Sequence, residues 1–315
     1  MSENLIAVLL FLVGLGLIVK GGDWFVDAAS WMAEASGMPK FLIGATIVSV
    51  ATTLPEIIVS VIAAAEGQTE MAIGNAVGSV TANLGLIMGF SLLFLPMAIR
   101  RSQFALKGAL MVGACVILLI TCLDGQMTVG EGLICLAVFV VYIYENIRSA
   151  RGENGAADRP AVEKRDLWKN IFLFVLGAAS LVVGSRLLVD NGTILATALG
   201  VPERVIAVTM VAIGTSLPEL VTAVTAVVKK QGSLSVGNIL GANIIDIAVI
   251  LPLCAMISGG ALPVSAASFS LDMPVCLAEA LIAVVPTIIR RKFSRVQGVC
   301  MIVLYLAYLV YTFFI

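Results

Sequence analysis

Histidine is absent from all 315 residues, and charged residues make up only 12% of the chain. The missing imidazole removes the usual proton shuttle and the usual transition-metal ligand. A soluble domain carries about 25% charged residues. The shortage, with a mean hydropathy of +1.07, places the chain in a lipid bilayer. Its apolar runs are too long for the strands of an outer-membrane barrel, which alternate over about ten residues, so the expected class is an all-α bundle of transmembrane helices. The net charge of −1 offers no basic surface for nucleic acid. Six cysteines, Cys115, Cys122, Cys135, Cys254, Cys276 and Cys300, lie scattered in apolar segments. Without metal-like spacing they read as small core residues. No Walker motif or EF-hand spacing occurs, which argues against a nucleotide-driven pump and a regulatory Ca²⁺ loop. The start, Met1-Ser2-Glu3-Asn4, lacks a basic n-region, so the first apolar run is expected to be a retained helix and not a signal peptide.

What is present is organised by length. A helix of about 20 residues spans the hydrocarbon core, and that ruler predicts ten helices, at 4–36, 41–65, 69–99, 103–123, 127–147, 168–199, 203–228, 233–257, 270–290 and 295–315. The first and sixth are long enough to require strong tilt or bending. Residues 149–167 hold most of a charge-rich stretch with Gly and Pro and form the expected linker between a first half, 1–148, and a second, 168–315. Adding 163 to a position in the first half reaches its counterpart in the second: Gly14 to Gly177, Gly21 to Gly184, Pro39 to Pro202, Leu54-Pro55-Glu56 to Leu217-Pro218-Glu219, and Gly74-Asn75 to Gly237-Asn238. Each half has an odd number of helices, so the copies enter the membrane from opposite sides. This is an inverted repeat, a common ground plan of secondary transporters. Of 19 Lys and Arg, only Arg204 falls on the sparse side of this topology, while Lys20 and Arg186 lie within helices. The crowded side is expected to be cytoplasmic, with the linker there and both termini outside the cell membrane.

The chemistry concentrates in the repeated words Ala51-Thr52-Thr53-Leu54-Pro55-Glu56 and Gly214-Thr215-Ser216-Leu217-Pro218-Glu219. A carboxylate inside a membrane helix is costly unless paired. Pro55 has no N–H and crowds the carbonyl near Ala51, so the helix should break around Ser49 to Thr53 and leave carbonyls in need of a donor or a cation. Thr52 and Glu56, four apart, share a helix face. The second copy repeats the arrangement. The following helix of each half carries Gly74-Asn75 to Asn83 and Gly237-Asn238 to Asp246. Glycines four apart permit close backbone approach, and Asn75, Ser79 and Asn83 form a polar stripe. Asn75 and Asn238 themselves are expected to be interhelical hydrogen-bond residues. Asp27 and Asp190 match across the repeat and are read as structural, with Lys20 and Arg186 snorkelling or pairing with Asp23 and Asp190. If the polar helices meet at the midplane, Glu56, Glu219, Asp246 and Asn83 converge. An all-oxygen set selects hard cations such as Ca²⁺, Na⁺, K⁺ or Mg²⁺. Two glutamates there repel unless neutralised, by one Ca²⁺ or by several Na⁺. That competition is a physical basis for exchange.

These words resemble the α-repeats of the cation/Ca²⁺ exchanger superfamily, in particular its prokaryotic Na⁺/Ca²⁺ exchangers. The resemblance implies a ten-helix antiporter with Ca²⁺ held between Glu56 and Glu219 and by carbonyls of Thr52 and Thr215. It implies one Na⁺ site from Glu56, the Ser49 carbonyl, Thr52 and Ser79, and another from Glu219, the Ala212 carbonyl and Thr215. Asn83 and Asp246 would complete the ring, with Thr53 and Ser216 as the second hydroxyl of each word. The long first and sixth helices would slide across the rest. Ala242 stands where the family commonly has serine, Val80 where it has Asn, Thr53 where it has Ser and Ala51 where it has Gly. Aspartate at 246 is associated with K⁺-dependent exchangers, although Na⁺/Ca²⁺ members also carry it.

The expected function is export of Ca²⁺ by inward Na⁺ flow, without cofactor, enzymatic activity or obligatory protein partner. The alternatives are an H⁺/Ca²⁺ antiporter or K⁺-dependent exchanger on the same fold, and a passive cation channel, which would more naturally use a symmetric oligomeric pore.

Overall fold

The computed structural model describes residues 3–95, 101–153, 163–200 and 203–314; on 203–215 only the backbone course is described. The chain starts with α1 (Glu3–Ser36). Next come α2 (Lys40–Ile43), a π-helical segment (Gly44–Val48), α3 (Ser49–Thr52) and α4 (Leu54–Ala65). Then follow α5 (Thr69–Ala82), a π segment (Asn83–Met88), α6 (Gly89–Phe94) and α7 (Arg101–Thr121). Strand β1 (Gln126–Thr128) leads into α8 (Val129–Glu153). The remainder consists of α9 (Lys164–Ala198), α10 (Glu203–Val228), α11 (Gly232–Ile245), a π segment (Asp246–Ile250), α12 (Leu251–Ile257), β2 (Ala261–Pro263), a π segment (Ser268–Asp272), α13 (Met273–Arg290) and α14 (Arg295–Phe314).

Eight helices among the described residues are long and apolar enough to cross a membrane, and a ninth is the bent pair Lys40–Thr52 and Leu54–Ala65. The helix α10 follows with 26 residues. At 1.5 Å per residue, the 34 residues of α1 and 35 of α9 reach about 50 Å, well beyond a hydrocarbon core of about 30 Å. The helices α8 and α9 extend into the stretch read as linker, to Glu153 and back to Lys164. The helix-forming run Glu145 to Arg151 contains no Gly or Pro to stop it. A short ribbon departs from the all-helical expectation: β1 pairs antiparallel with β2, Met127 opposite Leu262. It ties two loops together at one end of the bundle.

Glycine sets the helix spacing. A Cβ on Gly14 would come within 2.9 Å of the Gly184 carbonyl, and one on Gly177 within 2.9 Å of the Gly21 carbonyl. Early residues of α1 therefore meet late residues of α9, so the two helices run antiparallel with backbones in contact. The Phe25 and Phe174 rings stack above the crossing at 4.5 Å. The buried apolar residues form two groups: one on α1 and α9 with Ile43, Val48 and Leu234, and a larger one around α5, α7, α11, α13 and the π segments. Within the larger group α11 lies against the second span. A Cβ on Gly237 would meet the Phe41 carbonyl at 2.1 Å, and one on Gly241 the Ser49 hydroxyl at 2.4 Å. Only glycine fits at either place. The counterparts Gly74 and Gly78 have no such neighbour among the described residues.

Two expectations are corrected. The first copy breaks at Thr53, whose φ of −82° and ψ of −1° end α3, and the span bends by 44° there. The second copy does not break: Pro218 lies inside the continuous α10. Proline removes one hydrogen bond, and α10 absorbs it without leaving helical geometry. The partner of Asp23 is not Lys20 but Lys229, whose ammonium lies 3.1 Å from the Asp23 carboxylate and 2.8 Å from that of Asp27. The helix α1 packs on α10 through Gly22 against Val221 and Thr225, which turns this acidic face toward the end of α10.

Candidate functional site

The second span is built to expose backbone oxygen. Pro55 at the second position of α4 cannot donate to the Ala51 carbonyl. Just before it, the Ser49 carbonyl is crowded with donors: the Thr53 N–H at 3.0 Å, the Thr53 hydroxyl at 2.7 Å and the Thr52 hydroxyl at 3.4 Å. Ser49 thus serves to hold the break and is not a free carbonyl. One turn on, Glu56 is 1% exposed.

Side chains from both halves close around this break. The Thr52 hydroxyl donates to the Asn238 side-chain oxygen of α11 at 3.2 Å. The Ser216 hydroxyl of α10 meets that of Ser79 on α5 at 3.5 Å. Asn83 donates to Asn243 at 3.1 Å, and Asn243 to the Met111 sulfur of α7 at 3.7 Å. Asn75 donates to the Glu56 carbonyl at 3.3 Å and to Ser60 at 2.8 Å, fixing α5 to α4. The Asn75 and Asn238 bonds are the interhelical ties expected of them.

Three carboxylates lie inside this frame. Glu219 and Asp246 are both within electrostatic reach of Glu56, and both are fully buried. Thr52 and Thr53 approach Glu219 from the other half of the chain. Their hydroxyls also lie within hydrogen-bond distance of the Ser49 carbonyl and, for Thr52, of the Asn238 side chain. Both oxygens of Glu56, of Glu219 and of Asp246 are without a hydrogen-bond partner, as is the Asn83 side-chain oxygen. A buried oxygen left unpaired in a dry interior is strongly unfavourable. Seven such oxygens, on α4, α10 and the two π segments, are acceptors of the kind a cation would satisfy. Among the described residues no three Asp, Glu, His or Cys side chains sit closely enough to cage a metal by themselves. A cation there also needs hydroxyl and carbonyl oxygens, as hard cations with six or more ligands do.

Of the residues singled out in the sequence, Glu56, Glu219, Asp246, Asn83, Thr52, Thr53, Ser49, Ser79 and Ser216 are all buried in this region. Thr215 and Ala212 fall on 203–215, outside the residues whose side chains are described. Sequence reasoning missed three things. Asn243 occupies the position matching Val80 and holds Asn83, although its Gly-x-Asn word was visible. The π segments beginning at Asn83 and Asp246 lie 163 residues apart and widen the helix where the ring side chains emerge; π turns often mark functional sites. Glu279, buried with both oxygens unpartnered, was overlooked because its counterpart Val116 is apolar.

A family profile described as sodium/calcium exchanger protein matches residues 6–148 and 169–314. The chain is 32% identical to the sodium/calcium exchanger MaX1 of Methanosarcina acetivorans, over 98% of each chain. It is 35% identical to the inner membrane protein YrbG of Escherichia coli, over 88% of this chain and 87% of that one. Among solved structures it is similar to the sodium-calcium exchanger NCX_Mj soaked with Na⁺ and Sr²⁺, with a TM-score of 0.86, 28% identity and coverage of 98% and 99%. Matched along nearly its whole length, this chain belongs to the sodium/calcium exchanger family.

Proposed function

We propose that this protein is a secondary antiporter that exchanges Na⁺ for Ca²⁺ by alternating access. Its plan is ten transmembrane helices in two inverted five-helix repeats, with the charged linker on the cytoplasmic side. The observation that carries the reading is the set of buried, unpartnered carboxylate oxygens of Glu56, Glu219 and Asp246. Ca²⁺ would sit between Glu56 and Glu219 with Asn83, Asp246 and carbonyls of the two Pro-Glu words. Na⁺ would use the flanking oxygens, Thr52 and Ser79 with the adjoining Ser216 on one side, and Thr215 with the Ala212 carbonyl on the other. The Ser49 carbonyl, implied by resemblance, already accepts from Thr53 and Thr52, and we assign it to fastening the break.

The repeat reading rests on contacts as well as on sequence. The pair Gly14 with Gly184 becomes the pair Gly177 with Gly21 when 163 is added to the first-half residue and subtracted from the second. A contact that maps onto its own mirror is what a two-fold relation between the halves requires. That α1 and α9 contribute nothing to the larger buried group suits a unit that slides over a fixed cation site.

Purified protein in vesicles loaded with Na⁺ should take up Ca²⁺ only while the Na⁺ gradient lasts, and a pH gradient alone should not substitute. Uptake driven equally by a pH gradient would instead favour proton exchange. Flux indifferent to either gradient would favour a channel.

A further inference from the structure

Glu279 stands apart from the ring. It lies mid-way along α13, is 0% exposed, and neither carboxylate oxygen has a hydrogen-bond partner. Its counterpart by the 163-residue offset is Val116, so it is not a member of the two-fold set. Its surroundings differ from those of the ring. One oxygen lies over Gly85, where a Cβ would come within 2.9 Å of it and 2.5 Å of the Tyr305 Cβ. The ring has hydroxyls and amides within reach, whereas this oxygen faces bare backbone and a tyrosine. An intramembrane carboxylate needs a partner or must lose its charge. A hard cation needs six or more oxygens, and no group of three Asp, Glu, His or Cys among the described residues could hold a metal.

The pocket nevertheless adjoins the ring. Gly85 belongs to the π segment that starts at Asn83. Cys276, one turn before Glu279, is within electrostatic reach of both Asp246 and Glu279. The titratable groups that face this region are Tyr305 of α14, Cys276 on the same helix and Cys115 of α7, whose sulfur lies 4.0 Å from that of Cys276. At the start of α13, Asp272 accepts from Tyr308 at 3.0 Å. None of these groups is cationic, so none can neutralise Glu279.

We propose that Glu279 is a proton-binding site beside the cation ring, holding a resident proton as a neutral acid and taking no part in cation ligation. Lacking a cation partner, it is satisfied by the one cation that needs a single oxygen. Cys276 is the neighbour it shares with Asp246, which sets it beside the exchange centre. This extends the exchanger reading, yet the site can be examined without transport.

Infrared difference spectroscopy on the purified protein at neutral pH with saturating Ca²⁺ tests it. Ca²⁺ ionises the two glutamates that hold it, so the Glu279 contribution is the part of the protonated-carboxyl signal that survives Ca²⁺ and depends on the side chain at 279. The expected result is such a band in the wild type, its loss in Glu279→Gln, and its return at a shifted position in Glu279→Asp. Absence of the band in the wild type, or its persistence in Glu279→Gln, would overturn the proposal. So would loss of Ca²⁺ binding in a folded Glu279→Gln protein, which would make Glu279 an ion ligand. Should Glu279→Gln not fold, Glu279→Asp with an unshifted band has the same force against it. If Ca²⁺ changes no carboxyl signal at all, the central-site reading fails while the Glu279 band still decides this one.

Discussion

At the scale of single residues, Glu219 carries the sharpest consequence. Unit charges at 4 Å interact by about 4 kcal/mol at an effective ε near 20. Glu219→Gln keeps the shape of a side chain that is fully buried but removes one charge. Ca²⁺ flux should therefore fall by about 100-fold or more while the protein stays folded, as checked by tracer uptake alongside size-exclusion chromatography. Flux within about twofold of wild type would remove Glu219 from the site. Much of this was readable from the chain, because a hydroxyl pair, a proline and a glutamate repeat in two apolar runs of the sequence. The role of Ser49 was not readable. Which oxygen a hydroxyl chooses depends on rotamers, and Thr52 and Thr53 both turn back to Ser49. Glu279 shows a different limit: a residue without a repeat partner is invisible to an argument from repetition.

At the scale of elements, two substitutions probe how the site is framed. Gly241→Ala would place a methyl 2.4 Å from the Ser49 hydroxyl. Overpacking of this kind costs about 1–3 kcal/mol. The melting temperature in detergent should fall, and Gly237→Ala, which meets the rigid Phe41 carbonyl at 2.1 Å, should lower it further. An unchanged melting temperature for both would mean that α11 does not lie where it is drawn. Pro55→Ala should restore a donor to the Ala51 carbonyl, reduce the 44° bend and weaken Ca²⁺ binding without loss of stability, measured by calorimetric titration. Tighter Ca²⁺ binding would contradict the role given to the break. Helix existence and approximate length followed from hydropathy. The π segments did not, since a single extra residue in a turn leaves apolar periodicity almost unaltered. The two Pro-Glu words also behave differently, breaking at Thr53 but running on through Pro218. A proline states that one hydrogen bond is missing, and packing decides whether the helix bends.

At the scale of the whole molecule, the proposed alternating access would have α1 and α9 move together against the rest. The stack of Phe25 on Phe174 and the glycine crossing belong to the moving unit, whereas Gly22 against Thr225 joins it to α10. A disulfide engineered as Gly22→Cys with Thr225→Cys, in a protein with Cys300 replaced by serine, should stop exchange on oxidation and restore it on reduction. Full cross-linking with undiminished exchange would show that these helices need not slide. The shape of the molecule thus follows from apolar length and glycine contact.

The most direct measurement is the anomalous scattering of Sr²⁺ soaked into crystals of the protein. One dominant peak is expected between the Glu56 and Glu219 carboxylates, lost on addition of excess Na⁺. A peak elsewhere in the bundle, or two glutamates too far apart to share one ion, would contradict it.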